Sequence, residues 1–289
     1  MSGTPRHPAV AGTFYPAEPE RLLPLVDRLL VNAAPSGPQL TDPARVLALL
    51  VPHAGLAYSG GIAALAWTLA GACAPSTIVL AGTDHQAWAA GVGVWLGGPW
   101  QTPIGEVAVD ELLSYRIAAL GPPFAPDDAA HLEEHSIEVQ LPLIRRACPT
   151  AQIVALAVSP RLRTHADAGA RLGRLLAERR AAGERILLVA SSDFAHYPPR
   201  AVCEAVTQEL IEPLLRVDGD GLHRLESEVA ASRRPGVVCG LCGIDPVRFT
   251  LAALGEMGAT RGILLGSATS ADAGGDSRRT VGYGAVAFV

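Results

Sequence analysis

An α/β domain with a central, largely parallel or mixed β-sheet flanked by helices is the fold this sequence predicts, on three observations. Short aliphatic runs alternate with longer amphipathic stretches, the pattern of strands joined through helices. The chain of 289 residues is 49% hydrophobic with 30 Gly and 23 Pro, enough apolar surface for one large core. Polar clusters follow the aliphatic runs directly, where open α/β sheets gather ligands.

The aliphatic runs predict strands over 46–51, 77–81, 153–158, 186–190, 262–267 and 282–288. The stretches between them predict helices over 60–72, 109–120, 136–147, 165–182, 200–217, 220–229 and 246–256. Pro142 interrupts the third of these and predicts a kink or a later start. The Pro/Gly-rich piece 33–43 reads as a surface loop, and a single domain over 1–289 accounts for the whole.

Charge and composition exclude some roles. Net charge is −5, and no Lys/Arg run is long enough to suggest a nucleic-acid patch. The Arg-rich stretch 171–185 also carries Glu178 and Glu184 and reads as the wet face of a helix. No apolar h-region opens the chain and no uninterrupted apolar stretch approaches 18 residues, so neither a signal peptide nor a membrane span is expected. Five scattered cysteines are no disulfide framework, and a reducing cytoplasm is the expected location.

The polar clusters hold the chemistry. Val51-Pro52-His53-Ala54-Gly55 ends the first predicted strand, Gly82-Thr83-Asp84-His85 the second, and Ser191-Ser192-Asp193-Phe194-Ala195-His196 the fourth. Glu134-His135-Ser136 opens a helix, and Val237-Val238-Cys239 is an apolar stub ending in a thiol. Neutral imidazole and thiolate both bind borderline-soft cations such as Fe(II), Zn(II) or copper. Histidines left over could move protons near neutral pH, with Asp193 orienting His196.

Other features read more plainly. Cys239 and Cys242 form a CxxC without a second pair, weak as structural zinc, and no helix opens on it as a redox motif would require. Cys73, Cys148 and Cys203 read as core residues, and His7, His131, His165 and His223 as structural or surface groups. Ser191 and Ser192 read as caps of a helix starting after Asp193. The glycines of 54–61 lack the P-loop Lys and read as a tight strand-to-helix turn.

Taken together, "AGTFYP" (11–16), "PHAGLAYSG" (52–60), "GTDH" (82–85), "EHSIEVQLP" (134–142), "SSDFAHY" (191–197), "CG" (239–240) and "VGYGAVAF" (281–288) resemble the Memo family, also called AmmeMemoRadiSam system protein B. The resemblance implies a fold like that of class III extradiol dioxygenases, which use a non-haem Fe(II). It implies a metal held by His53, His85 and Cys239, and proton-transferring pocket histidines at His135 and His196. Asp193 belongs to the same signature as His196. Fe(II) is implied first and copper second, because a Cys ligand is softer than the carboxylate of true extradiol enzymes. Zinc is third, since a closed structural site would not need the surrounding histidines.

Two departures stand out. Thr83 and Asp84 replace the family's usual Pro and small polar residue, which predicts a reshaped loop. Ala195 stands where Ser or Cys is commoner, which predicts one hydrogen bond fewer near the pocket. The activity implied is a metal-dependent oxidoreductase acting on a small aromatic substrate. Its rival is a non-enzymatic protein that handles copper or iron, or binds a peptide or metabolite. By its operon name, the family implies a radical SAM enzyme or an AMMECR1-like protein as partners.

Overall fold

The computed structural model describes residues 3–33 and 42–289, so most of the loop expected over 33–43 lies outside the described residues. In chain order the elements are α1 (Pro19–Val31), β1 (Ala48–Val51), α2 (Leu56–Cys73), β2 (Thr77–Thr83), β3 (Val92–Val94), β4 (Trp100–Thr102) and β5 (Gly105–Val107). Then come α3 (Glu111–Ala118), β6 (Phe124–Pro126), α4 (Ala129–Leu132), α5 (His135–Glu138), α6 (Leu141–Ala147) and β7 (Gln152–Val158). The chain closes with α7 (His165–Ala181), β8 (Ile186–Ser191), α8 (Arg200–Leu215), α9 (Gly219–Ala231), α10 (Ile244–Met257), β9 (Gly262–Thr269) and β10 (Gly282–Phe288).

An eight-stranded mixed sheet runs in the order β6-β3-β7-β2-β8-β1-β10-β9. Its middle, β7-β2-β8-β1, is parallel throughout, while β10 runs antiparallel to β1 and β3 antiparallel to β7. The central strands bury nearly every residue, which is why they read as continuous aliphatic runs instead of alternating ones. One core layer joins α7, α8 and α10 to the sheet through Leu172, Leu210 and Phe249. The other joins α1, α2 and α6 through Val26, Trp67 and Ile144. A separate hairpin, β4–β5, lies beside the second layer.

Helix α2 is long and apolar enough to cross a membrane by length and composition, although Tyr58, Ser59 and Thr68 interrupt its apolar run. Half of it is buried inside this domain, however, and Ala63, Ala66, Trp67 and Ala70 account for its apolarity by packing against neighbouring elements. The helix predicted over 136–147 is two helices. The first ends at Glu138, and the second starts at Leu141 with Pro142 in its first turn, where proline's missing N–H costs nothing.

No helix follows Asp193; the next one begins at Arg200. Ser192 instead accepts a hydrogen bond from the Gly243 amide (2.9 Å) and so tethers the entry of α10. That entry starts one residue after Cys242, so the CxxC does lead into a helix, though the stub 237–239 is not a strand.

Candidate functional site

Three adjacent parallel strands deliver the site at their carboxyl ends. Strand β8 lies between β1 and β2. His53 follows β1, His85 follows β2, and Asp193 follows β8 between them. Helix α5 brings His135 to the same rim, and its Ser136 hydroxyl donates to the Thr83 carbonyl (3.0 Å). The rings of His53, His85 and His135 are mutual neighbours. His85 stacks on His135 at 4.5 Å, and His53 meets each edge-on at 5.3 and 5.4 Å.

The hydrogen bonds around two of these rings fix their tautomers. The Ser191 hydroxyl donates to the Ser136 carbonyl (2.7 Å), which can only accept. Its contact with His53 Nδ1 (3.1 Å) must therefore run from ring N–H to hydroxyl oxygen. This leaves a lone pair on His53 Nε2, which faces the Cys242 sulfur at 3.1 Å. His85 Nδ1 lies 2.9 Å from the Glu134 carboxylate, an acceptor, so in the neutral ring Nδ1 carries the proton and Nε2 the lone pair. Burial, followed by the like charge of its histidine neighbours, outweighs the pull of Asp193 and lowers the His53 pKa to about 3. His53 is thus a neutral donor at any physiological pH. Burial also lowers the His135 pKa.

Two carboxylates brace the cluster. Burial would raise the Glu134 pKa, but its hydrogen bond to His85, the neighbouring imidazoles and the Ser136 amide lower it to about 2. Burial opposes ionisation of Asp193 too. The rings of His53 and His196 and the His53 amide (2.8 Å) outweigh it and hold that pKa below the ordinary value. Asp193 does not hydrogen-bond His196: its Oδ2 is 3.8 Å from Nε2, and that buried nitrogen has no partner among the described residues.

The thiol at the cluster is Cys242 and not Cys239. Ligand atoms of His53, Asp193 and Cys242 lie within 4.8 Å of one another, as do those of His53, His85 and His135. Cys239 joins neither group; its carbonyl receives the His196 amide (3.2 Å). The physical reason lies one residue further on. A Cβ on Gly243 would stand 2.7 Å from the Ser191 carbonyl oxygen and 2.8 Å from the Thr83 hydroxyl. Only glycine lets the backbone come this close to the strand ends, and the approach carries Cys242 to the rim.

The motif "EHSIEVQLP" proves to be a set of braces. Gln140 donates to the Pro52 carbonyl (2.8 Å) just before His53, and accepts from the Trp67 indole (2.9 Å). Glu138 holds the N-terminal segment, whose Phe14 ring sits 4.7 Å from His135. Asp84 accepts from the Ala89 amide (2.7 Å), which shapes the loop after His85. Ala195 packs in the core and does not line the cavity, so it removes no contact there. His131 is structural: its Nε2 lies 3.0 Å from the Gly93 carbonyl, and burial lowers its pKa to about 4.

The cluster opens into a cavity of about 620 Å³, with His196 and Phe14 on its wall. Imidazoles, one thiol and flanking carboxylates form a donor set suited to a borderline or soft divalent metal.

Residues 6–287 match the profile described as "Memo-like protein". A MEMO1 family protein of Methanothermobacter thermautotrophicus is 33% identical, covering 96% of this chain and 98% of its own. One from Pyrobaculum arsenaticum is 35% identical over 98% of both chains. An uncharacterized protein of Escherichia coli K12 shares the fold, with a TM-score of 0.53, 17% identity, and coverage of 85% of this chain and all of that one.

Proposed function

We propose, starting from the fact that this chain belongs to the Memo family, that its pocket holds one redox-active metal, iron(II) first, and oxidises a small aromatic substrate. The observation that carries this reading is the pair of enforced tautomers. With His53 Nδ1 engaged by Ser191 and His85 Nδ1 by Glu134, Nε2 is the uncommitted nitrogen of each ring, and that of His53 lies 3.1 Å from the Cys242 sulfur. His53, His85 and Cys242 would hold the metal as two neutral donors and one anion. When bound, it would supply Lewis-acid and one-electron chemistry toward oxygen and substrate. Copper suits the thiolate next best, and zinc would leave the nearby histidines without a task.

The chain's own residues would handle protons and water. His196, on the cavity wall, would take a proton from a substrate hydroxyl and return it. Asp193, ionised 3.8 Å away, would stabilise the resulting imidazolium. His135, kept neutral, would orient the substrate, and Phe14 would exclude water beside it. The free thiols of all five cysteines suit a reducing cytoplasm. A radical SAM enzyme or an AMMECR1-like protein as partner is part of the same proposal.

Metal content after anaerobic purification tests the reading. Near-stoichiometric iron is expected in the wild type and in Cys239→Ala, and none in Cys242→Ala. The opposite pattern would return the ligand role to Cys239, and no metal in any variant would sink the site. His196→Ala is expected to keep its metal and lose turnover. Tightly held copper without oxygen consumption would favour metal handling. Glu134→Ala leaves the His85 ring and two amides without their acceptor, and is expected to weaken metal binding by about 10–100-fold in a chelator competition.

A further inference from the structure

The wall of the cavity away from the metal cluster carries Tyr58, Tyr197, Tyr283, Asp276 and Arg279. The charge there is unbalanced. Asp276 is committed to its neighbour: Oδ1 accepts from the Arg278 amide (2.9 Å) and Nε (3.2 Å), and Oδ2 from Nη2 (3.0 Å). Arg279 has no hydrogen-bonding or ion-pair partner for its side chain among the described residues. Its guanidinium carbon rests 4.1 Å above the centre of the Tyr197 ring.

That shelf is built at a cost. Tyr197 has φ +71°, a left-handed conformation that a bulky side chain rarely adopts. The conformation is over-determined by its surroundings. The Tyr197 amide donates to the Thr280 carbonyl (2.6 Å), and the Thr280 amide and hydroxyl both donate to the Pro198 carbonyl (2.9 and 2.8 Å). A β-bridge between His196 and Val281 completes the lacing. The result sets the tyrosine ring between His196, 5.3 Å away, and Arg279.

We infer that Arg279 is the anchor for the carboxylate of an aromatic acid, so that the pocket takes small aromatic monocarboxylates. This deepens the substrate reading given above and rests on it. A planar guanidinium pairs with a carboxylate through two parallel hydrogen bonds, and its position over Tyr197 removes part of the ordering cost before the ligand arrives. Tyr58, half exposed on the same wall, offers a face for a ring. A phosphate dianion fits less well, because a single uncommitted cation would face it together with the carboxylates of Asp193 and Asp276.

The test compares 4-hydroxyphenylacetate with its uncharged isostere 4-hydroxyphenylacetamide by calorimetric titration of the full chain, both metal-loaded and metal-stripped. The wild type is expected to bind the acid about tenfold more tightly, a preference worth about 1.4 kcal/mol. Arg279→Gln is expected to bring the two within about twofold, and added salt to narrow the gap in the wild type. Arg278→Gln is expected to keep the preference, since that cation is already paired. Equal binding of acid and amide, a preference that survives Arg279→Gln, or binding of neither would overturn the inference. Acid preference through Arg279 in a protein that takes up no metal would uphold it while sinking the redox reading. A metal-loaded protein without the preference would do the reverse.

Discussion

Glu138→Gln is expected to lower the unfolding free energy by about 3–5 kcal/mol, the range for breaking a buried ion pair from one side. Glu138 is fully buried and accepts from Arg6 Nη1 (2.6 Å), the Ala9 and Val10 amides (2.8 and 2.9 Å) and the Tyr15 hydroxyl (2.6 Å). The amide side chain would leave the Arg6 cation, itself 1% exposed, without a counter-charge in the interior. Arg6 also donates to the carbonyls of His131 and Glu134 (2.8 Å each), so the strain would pass to the segment that carries His135. Equilibrium urea unfolding measures the loss. Arg146→Ala, which breaks an exposed pair with Asp27, is the contrast and is expected to cost less than about 1 kcal/mol. Equal small losses in both variants would mean that the N-terminal segment is not held by this network.

The same contrast between local and tertiary causes explains what the sequence could say in advance. Strand β10 has the predicted bounds, and β2, β7 and β8 agree closely, because strands buried on both faces are aliphatic throughout. Strand β2 runs on through Gly82 and Thr83, which carry no aliphatic signal and are strand only by pairing with Ala157 and Val158. Strands β3 and β6 are three residues each, too short for any period to show. Helix α1 was not foreseen; Pro24 within it masks an amphipathic pattern.

At the site, His53 and His85 were legible because each lies two residues past a strand, and His135 because it opens a helix. The thiol was harder. The chain holds two Cys-Gly pairs three residues apart, in a segment that is itself neither helix nor strand. One signal favoured the second pair: Pro246 sits in the first turn of α10, which puts Gly243 at the helix entry. The deciding contact, Gly243 against the ends of β2 and β8, is tertiary and leaves no mark on the local pattern. Ser191 likewise looks like a cap until its partners, Ser136 and His53, are seen across the sheet.

Metal affinity is expected to rise about tenfold per pH unit between pH 7 and pH 9, from a single released proton. Burial, with Asp193 and Cys239 adding to it, pushes the Cys242 thiol well above its ordinary pKa. Across this range the free site therefore holds a protonated thiol, and a metal must displace that proton to gain a thiolate. Falling proton concentration favours the bound state, which sets the sign. His53, with its pKa near 3, and Glu134, near 2, are already deprotonated and release nothing. Competition against a chelator of known protonation, repeated at intervals of half a pH unit, reads the slope. Cys242→Ser is expected to flatten it, since a serine hydroxyl keeps its proton. A flat wild-type line would exclude the thiol as a ligand. A slope of two would mean that a second group gives up a proton on binding, and loss of the extra proton in Cys239→Ser would identify it as Cys239, whose own pKa burial raises to about 11.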